Sequence, residues 1–223
     1  LRRIVFHFDV VSPFAFLAFE ALPQALEGCN YQVDYCPVLL GALLRHWGQK
    51  GPAEVAPKRA WVLHQVQWLA ARQQVEFAVP TPHPFSSVAL QRLALAAAPA
   101  GEAGLRLGPN RRVVELLFQH VWQGGGADPN DPVRLAALVS ALAPARDPQG
   151  DEVKQALRSL TDVAIAQGVF GVPSFELAGR VFWGLDALPM LRDALQGGPW
   201  FSGSAWPVRH VQAPYTPAQD SPA

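Results

Sequence analysis

Ser12-Pro13-Phe14-Ala15 stands where an alternating apolar run ends and helical spacing begins, and its residue types limit the chemistry that junction can do. Ser12 is a good helix N-cap and Pro13 a good first helical residue. A dithiol centre would need sulfur at the first and fourth positions of the tetrad. Here the first carries a hydroxyl and the fourth a methyl, which excludes dithiol chemistry at this site. The start of a helix still offers unpaired backbone N–H groups and the positive end of the helix dipole. Both favour an anion, and the Ser12 hydroxyl can donate one more hydrogen bond to it. No motif supplies a base to make Ser12 itself a nucleophile, and His7, five residues earlier, has no evident reach.

Two segments far along the chain invite the same question. Val172-Pro173 precedes a short strand, where a trans proline would do no harm because its missing donor falls at the strand start. Trp183-Gly184-Leu185-Asp186 precedes the last helix, and by spacing alone Asp186 is a cap worth about 1 kcal/mol. His64 and His120 fall in helices at core-like spacing and read as packed structural histidines.

The elements that must position these residues follow from periodicity. Ile4, Phe6, Phe8 and Val10 alternate with Val5, His7 and Asp9 as a strand, and helical spacing then runs from Pro13 to about Leu26 with Gly28 closing it. Tyr31, Val33 and Tyr35 mark a second strand, completing a βαβ unit. Helical patterns follow over about 57–74, 88–97, 112–123, 132–142 and 153–164, with Asp131-Pro132 as cap and first residue of the fourth. The stretch 88–97 is apolar nearly all round and is expected to be buried. A hairpin over 174–183 turns at Ala178-Gly179, and Leu188, Leu191 and Leu195 place a final helix. The order βαβ, helices, ββα describes an α/β chain with a thioredoxin-like fold interrupted by helices. Residues 1–38 and 166–198 form the thioredoxin-like domain, 39–165 an inserted all-helical domain, and 199–223 an irregular tail in which Trp200, Phe201 and Trp206 are available to dock on the body.

Half of the 223 residues are hydrophobic and 16% are charged, enough for a well-buried core. Eighteen basic residues balance eighteen acidic ones, which gives no electrostatic reason to expect nucleic acid or an anionic membrane as partner. Cys29 and Cys36 have no metal-ligand spacing and read as ordinary thiols. Any secretory pattern after Leu1-Arg2-Arg3 is broken by His7, Asp9, Pro13 and Glu20, and no run of 18 apolar residues exists, so a cytoplasmic protein is expected.

Taken together, residues 8–18, 168–175 and 182–191 resemble the 2-hydroxychromene-2-carboxylate isomerase family and its relative, the kappa-class glutathione transferase, within the DsbA-like thioredoxin superfamily. Lys58-Arg59-Ala60-Trp61, His83-Pro84-Phe85 and Val121-Trp122-Gln123-Gly124 add to the likeness, which runs from about residue 3 to 196. The resemblance implies glutathione as cofactor, with Ser12 donating to its sulfur and the helix start lowering a thiol pKa that is ordinarily about 8.5. It implies a cis Val172-Pro173 bond, with the Val172 backbone pairing with the cysteinyl part of the tripeptide. It gives the γ-glutamyl end to Trp183, Gly184, Leu185 and Asp186, the Asp186 carboxylate meeting the ammonium. The substrate would be an aromatic 2-oxo acid or related electrophile, met by Phe14 and Phe85 and by a cation, Lys58 or Arg59. The reaction implied is cis-trans isomerisation of an arylidene pyruvate by reversible thiolate addition. A kappa-like transferase that leaves the adduct attached, and a non-catalytic glutathione-binding module, are the alternatives. Related proteins are often homodimers. The chain departs from the family pattern at three places: Leu185 replaces a common amide, Ser86 an asparagine after His-Pro-Phe, and the stretch Ala53-Glu54-Val55 stands where isomerases tend to carry Asn-Arg.

Overall fold

Strand β1 (Arg2–Phe8) lies at the centre because both of its faces are covered. The computed structural model describes residues 1–99 and 108–202. Ile4, Phe6 and Phe8 point into the larger core and Val5 into a smaller one, so the polar-looking alternate positions are buried too. His7 and Asp9, expected on a strand's alternate face, are 2% and 1% exposed. β1 pairs in parallel with β2 (Tyr31–Pro37) and antiparallel with β3 (Ser174–Leu177), which forms a hairpin with β4 (Arg180–Trp183). The sheet order is β2-β1-β3-β4. Ala178 and Gly179 both take positive φ, as the tight hairpin turn needs.

Helix α1 (Pro13–Ala25) joins β1 to β2, and α2 (Leu40–His46) follows β2 directly. Then come α3 (Ala56–Gln73), α4 (Val88–Ala96), α5 (Arg111–Trp122), α6 (Pro132–Leu142) and α7 (Asp151–Ala166). After the hairpin, a 3-10 turn (Leu185–Ala187) leads into α8 (Leu188–Leu195). Helices α4 and α5 contribute Leu90, Leu93, Leu117 and Phe118 to the same core as Phe6, Phe8, Phe16 and Phe19. On the sheet's other face, Ala164 of α7 and Leu43 of α2 meet Val5 and Cys36. The intervening helices therefore share a hydrophobic core with the strands on each face of the sheet.

Three readings from the sequence change. Helix α2 was not expected: no side chain of its own caps it, because its first N–H groups are met from elsewhere in the chain. His64 is exposed, since α3 turns only Val66 and Ala70 fully inward. The segment after residue 198 is not wholly irregular, because Pro199–Ser202 form a helical turn. Phe201 is buried against Phe182, ring centroids 5.9 Å apart, and its carbonyl accepts from Arg180 at 2.9 Å. Trp200 is half exposed, and Trp206 lies outside the described residues.

Candidate active site

Ser12 caps α1 as its type and the following proline dictate: its Oγ accepts from the Ala15 N–H at 3.2 Å. The hydroxyl donates in turn to the Val172 carbonyl at 3.4 Å, a long bond that is easily given up. Pro13 has no N–H and the Ala15 N–H is capped, so Phe14 supplies the remaining first-turn donor. No described residue accepts from it. Ala15 is fully buried, and no sulfur stands at either end of the tetrad.

The Val172-Pro173 bond is cis. Its turn is tied to the next segment through the Gly184 N–H, which donates to the Pro173 carbonyl at 2.9 Å. Gly184 adopts φ 102° and ψ 161°, backbone that is nearly confined to glycine. A Cβ there would collide with the Asp186 carboxylate. Asp186 does not cap α8, whose N-cap is Ala187 with no side-chain bond. Its side chain is exposed and makes no hydrogen bond or ion pair with a described residue. The cap that spacing suggested is thus absent, and the carboxylate remains open to an external cation.

A cavity of about 750 Å³ opens beside Ser12 and Phe14. Leu40, Leu44, Val62, Phe85 and Phe170 make its wall largely apolar, and Val172 and Trp183 close one side. Lys58 and Arg59 lie on it, joined by Arg45 and Lys50, which sequence reasoning missed; Glu54 is the exposed acid among them. Arg59 is committed, donating to the His83 carbonyl at 2.6 Å, whereas Lys58 has no ion-pair partner among the described residues. The structure thus brings Ser12, Phe14, Lys58, Phe85, Val172 and Trp183 to one cavity. Pro173, Gly184, Leu185 and Asp186 are not part of the cavity wall, and the Leu185–Ala187 turn packs against α1.

Asp9 is the residue that periodicity hid. Its carboxylate accepts from the Val11 N–H at 3.1 Å and from the Leu40 N–H at 2.8 Å, and it meets the Ser87 hydroxyl. Burial pushes its pKa up, and these three hydrogen bonds oppose that shift without cancelling it. The folded state therefore holds this proton at a pH where the unfolded chain has released it, so its stabilising contribution is lost as pH rises through the raised value. We expect Asp9→Asn, which is neutral throughout, to gain stability relative to wild type between about pH 4 and pH 7. Thermal melts of both proteins across that range check the sign.

The profile of the DSBA-like thioredoxin domain matches residues 3–196. The chain belongs to that family. Within the DsbA-like family it is similar to 2-hydroxychromene-2-carboxylate isomerase of Sphingobium xenophagum, 26% identical over 201 residues, which cover 87% of this chain and 98% of the relative. It is also similar to glutathione S-transferase kappa 1 of Homo sapiens, 25% identical over 181 residues, covering 77% of this chain and 79% of that one. Among solved structures, a 2-hydroxychromene-2-carboxylate isomerase superposes with a TM-score of 0.73 at 21% identity, covering 90% of this chain and 97% of that one. That likeness establishes the DsbA-like thioredoxin fold. No described helix is long and apolar enough to cross a membrane.

Proposed function

We propose that this protein is a glutathione-dependent isomerase acting on an anionic, conjugated aromatic 2-oxo acid of the arylidene pyruvate class. The observation that carries the reading is the start of α1. There the Ser12 hydroxyl and the Phe14 N–H stand at the edge of an apolar cavity that also bears Lys58. These residues fit glutathione. One hydroxyl and one backbone donor at a helix start suit a thiolate, and the exposed Asp186 carboxylate suits an ammonium. When bound, glutathione supplies a nucleophilic sulfur that adds reversibly to a conjugated double bond.

The chain's own residues do the rest. Ser12 gives up its long bond to the Val172 carbonyl and donates to the sulfur, favouring the charged form. The Val172 backbone and the Trp183–Asp186 turn orient the tripeptide by its peptide and its amino end. Phe14 and Phe85 exclude water around the aromatic ring of the substrate, and Lys58 pairs with its carboxylate. The setting proposed is the cytoplasm.

Calorimetry with reduced glutathione, followed by an arylidene pyruvate assay, tests this reading. Binding in the micromolar to low-millimolar range is expected, with the isomer formed and total glutathione unchanged. Stoichiometric loss of glutathione into an adduct would favour the transferase, a reading supported by the similarity to the human kappa enzyme. No detectable binding would overturn the glutathione mechanism.

A further inference from the structure

The chain from Asp9 to Ser12 has left the sheet, and around it the Phe8, Val10 and Val11 carbonyls and the Val11 N–H each meet a side chain, while the Ser12 N–H donates to the Asp9 carbonyl. The Phe8 carbonyl accepts from Gln91 of α4 at 2.9 Å, and the same amide donates to the Val38 carbonyl at 2.8 Å. The Val10 carbonyl accepts from the indole of Trp122 of α5 at 2.9 Å. The Val11 N–H donates to Asp9, and the Val11 carbonyl lies 3.1 Å from His83 Nε2. A carbonyl can only accept, so Nε2 carries the hydrogen. Burial holds this imidazole below the usual histidine range, against the bond to Val11, which raises it. A single hydrogen on Nε2 fits that neutral form, and Nδ1 is buried with no hydrogen-bond partner among the described residues.

His83 is itself held hard. Its ring sits edge-on to Trp122 with centroids 5.5 Å apart and edge-on to Phe85 at 6.4 Å. Its carbonyl accepts from Arg59 at 2.6 Å, and the loop before it is pinned where the Thr81 N–H donates to Gly126. The hydrogen on Nε2 is thus committed to the Val11 carbonyl, and what that bond does there is mechanical.

We infer that His83 is a positioning residue for Ser12: its Nε2–H grips the Val11 carbonyl and so fixes the peptide unit from which the Ser12 hydroxyl and the α1 N-terminus are aimed. The inference rests on the glutathione reading for one of its two readouts only. Burial of a short turn does not by itself fix the direction of each of its peptide units, and the Gln91 and Trp122 bonds act on the Phe8 and Val10 carbonyls, before Val11. A hydrogen bond to the residue immediately before Ser12 fixes that direction where a donor's distance matters most.

Two substitutions separate grip from packing. His83→Phe keeps a ring against Trp122 and Phe85 and removes the donor; His83→Gln restores an N–H near the position of Nε2. The first readout is hydrogen exchange of amides in residues 9–17 without ligand. The second is the pKa of bound reduced glutathione, followed by thiolate absorbance in the ultraviolet. Local exchange faster in His83→Phe than in wild type, with His83→Gln near wild type, supports the inference. So does a bound-thiolate fraction at pH 7 reduced at least about threefold in His83→Phe alone, with the dissociation constant little changed. Wild-type exchange in this segment and an unaltered thiol pKa in His83→Phe would overturn it, as would a lowered melting temperature with both readouts unmoved. If wild type binds no glutathione, the proposed function falls, and the exchange result decides the inference by itself.

Discussion

Replacing Ser12 by alanine is expected to lower kcat/KM for an arylidene pyruvate by about a hundredfold, the scale seen when one preorganised donor is removed from a site of developing charge. The loss should appear mainly in kcat, with glutathione affinity changed little, because the tripeptide is held elsewhere along its length. Ser12 also caps α1 through the Ala15 N–H, so the same change should cost about 1 kcal/mol of stability. Steady-state kinetics and urea unfolding measured on one preparation separate the two effects. An alanine variant of unaltered kcat would leave Ser12 as nothing more than a cap, and the thiolate would need another donor.

The second large effect is expected at Gly184. Alanine there must either leave φ 102° or push the Asp186 carboxylate aside, since the new methyl would occupy its place. Holding the strained backbone costs about 1–3 kcal/mol. Displacing Asp186 should weaken glutathione binding by about tenfold to a hundredfold, the range for losing a charge-assisted pair. Asp186→Ala alone should weaken it by a similar amount. The double variant is then decisive: if Gly184 acts by placing Asp186, Gly184→Ala adds little once Asp186 is gone. Additive losses in calorimetry would mean that the backbone of this turn contributes independently of the carboxylate.

The elements read correctly from the sequence are those whose boundaries are set by neighbours in the chain. Asp131 caps α6 through the Arg134 N–H three residues on, and Pro132 follows it, so that helix was placed at 132–142. The hairpin turns on Ala178-Gly179, whose positive φ values are local. Ser12 and Pro13 mark the start of α1 in the same way. Helix α2 shows the opposite case. Its Leu39 N–H donates to Thr161 Oγ1 at 3.2 Å and its Leu40 N–H to Asp9 at 2.8 Å, caps contributed from 122 and 31 residues away. No inspection of residues 36–46 could reveal them.

The candidate site divides along the same line. Ser12-Pro13, Val172-Pro173 and Trp183-Gly184-Leu185-Asp186 stood out together through the family resemblance, while their local residue types alone indicated two helix caps and a proline at a strand start. Asp9 and His83 were given no role. Asp9 sits in an alternation that reads as a solvated strand face, and only helices packed on both sides of β1 bury it. His83 was seen as part of a motif without a task, because the carbonyl it holds lies 72 residues earlier. Asp186 was given a capping bond that the folded chain does not make. Sequence by itself determined the fold class and the absence of a dithiol at the helix start, since caps, prolines and glycine turns are governed by sterics within a few residues. Tertiary structure alone decided which buried groups aim and hold that helix start, because a hydrogen bond between distant segments leaves no trace in the local spacing of either one.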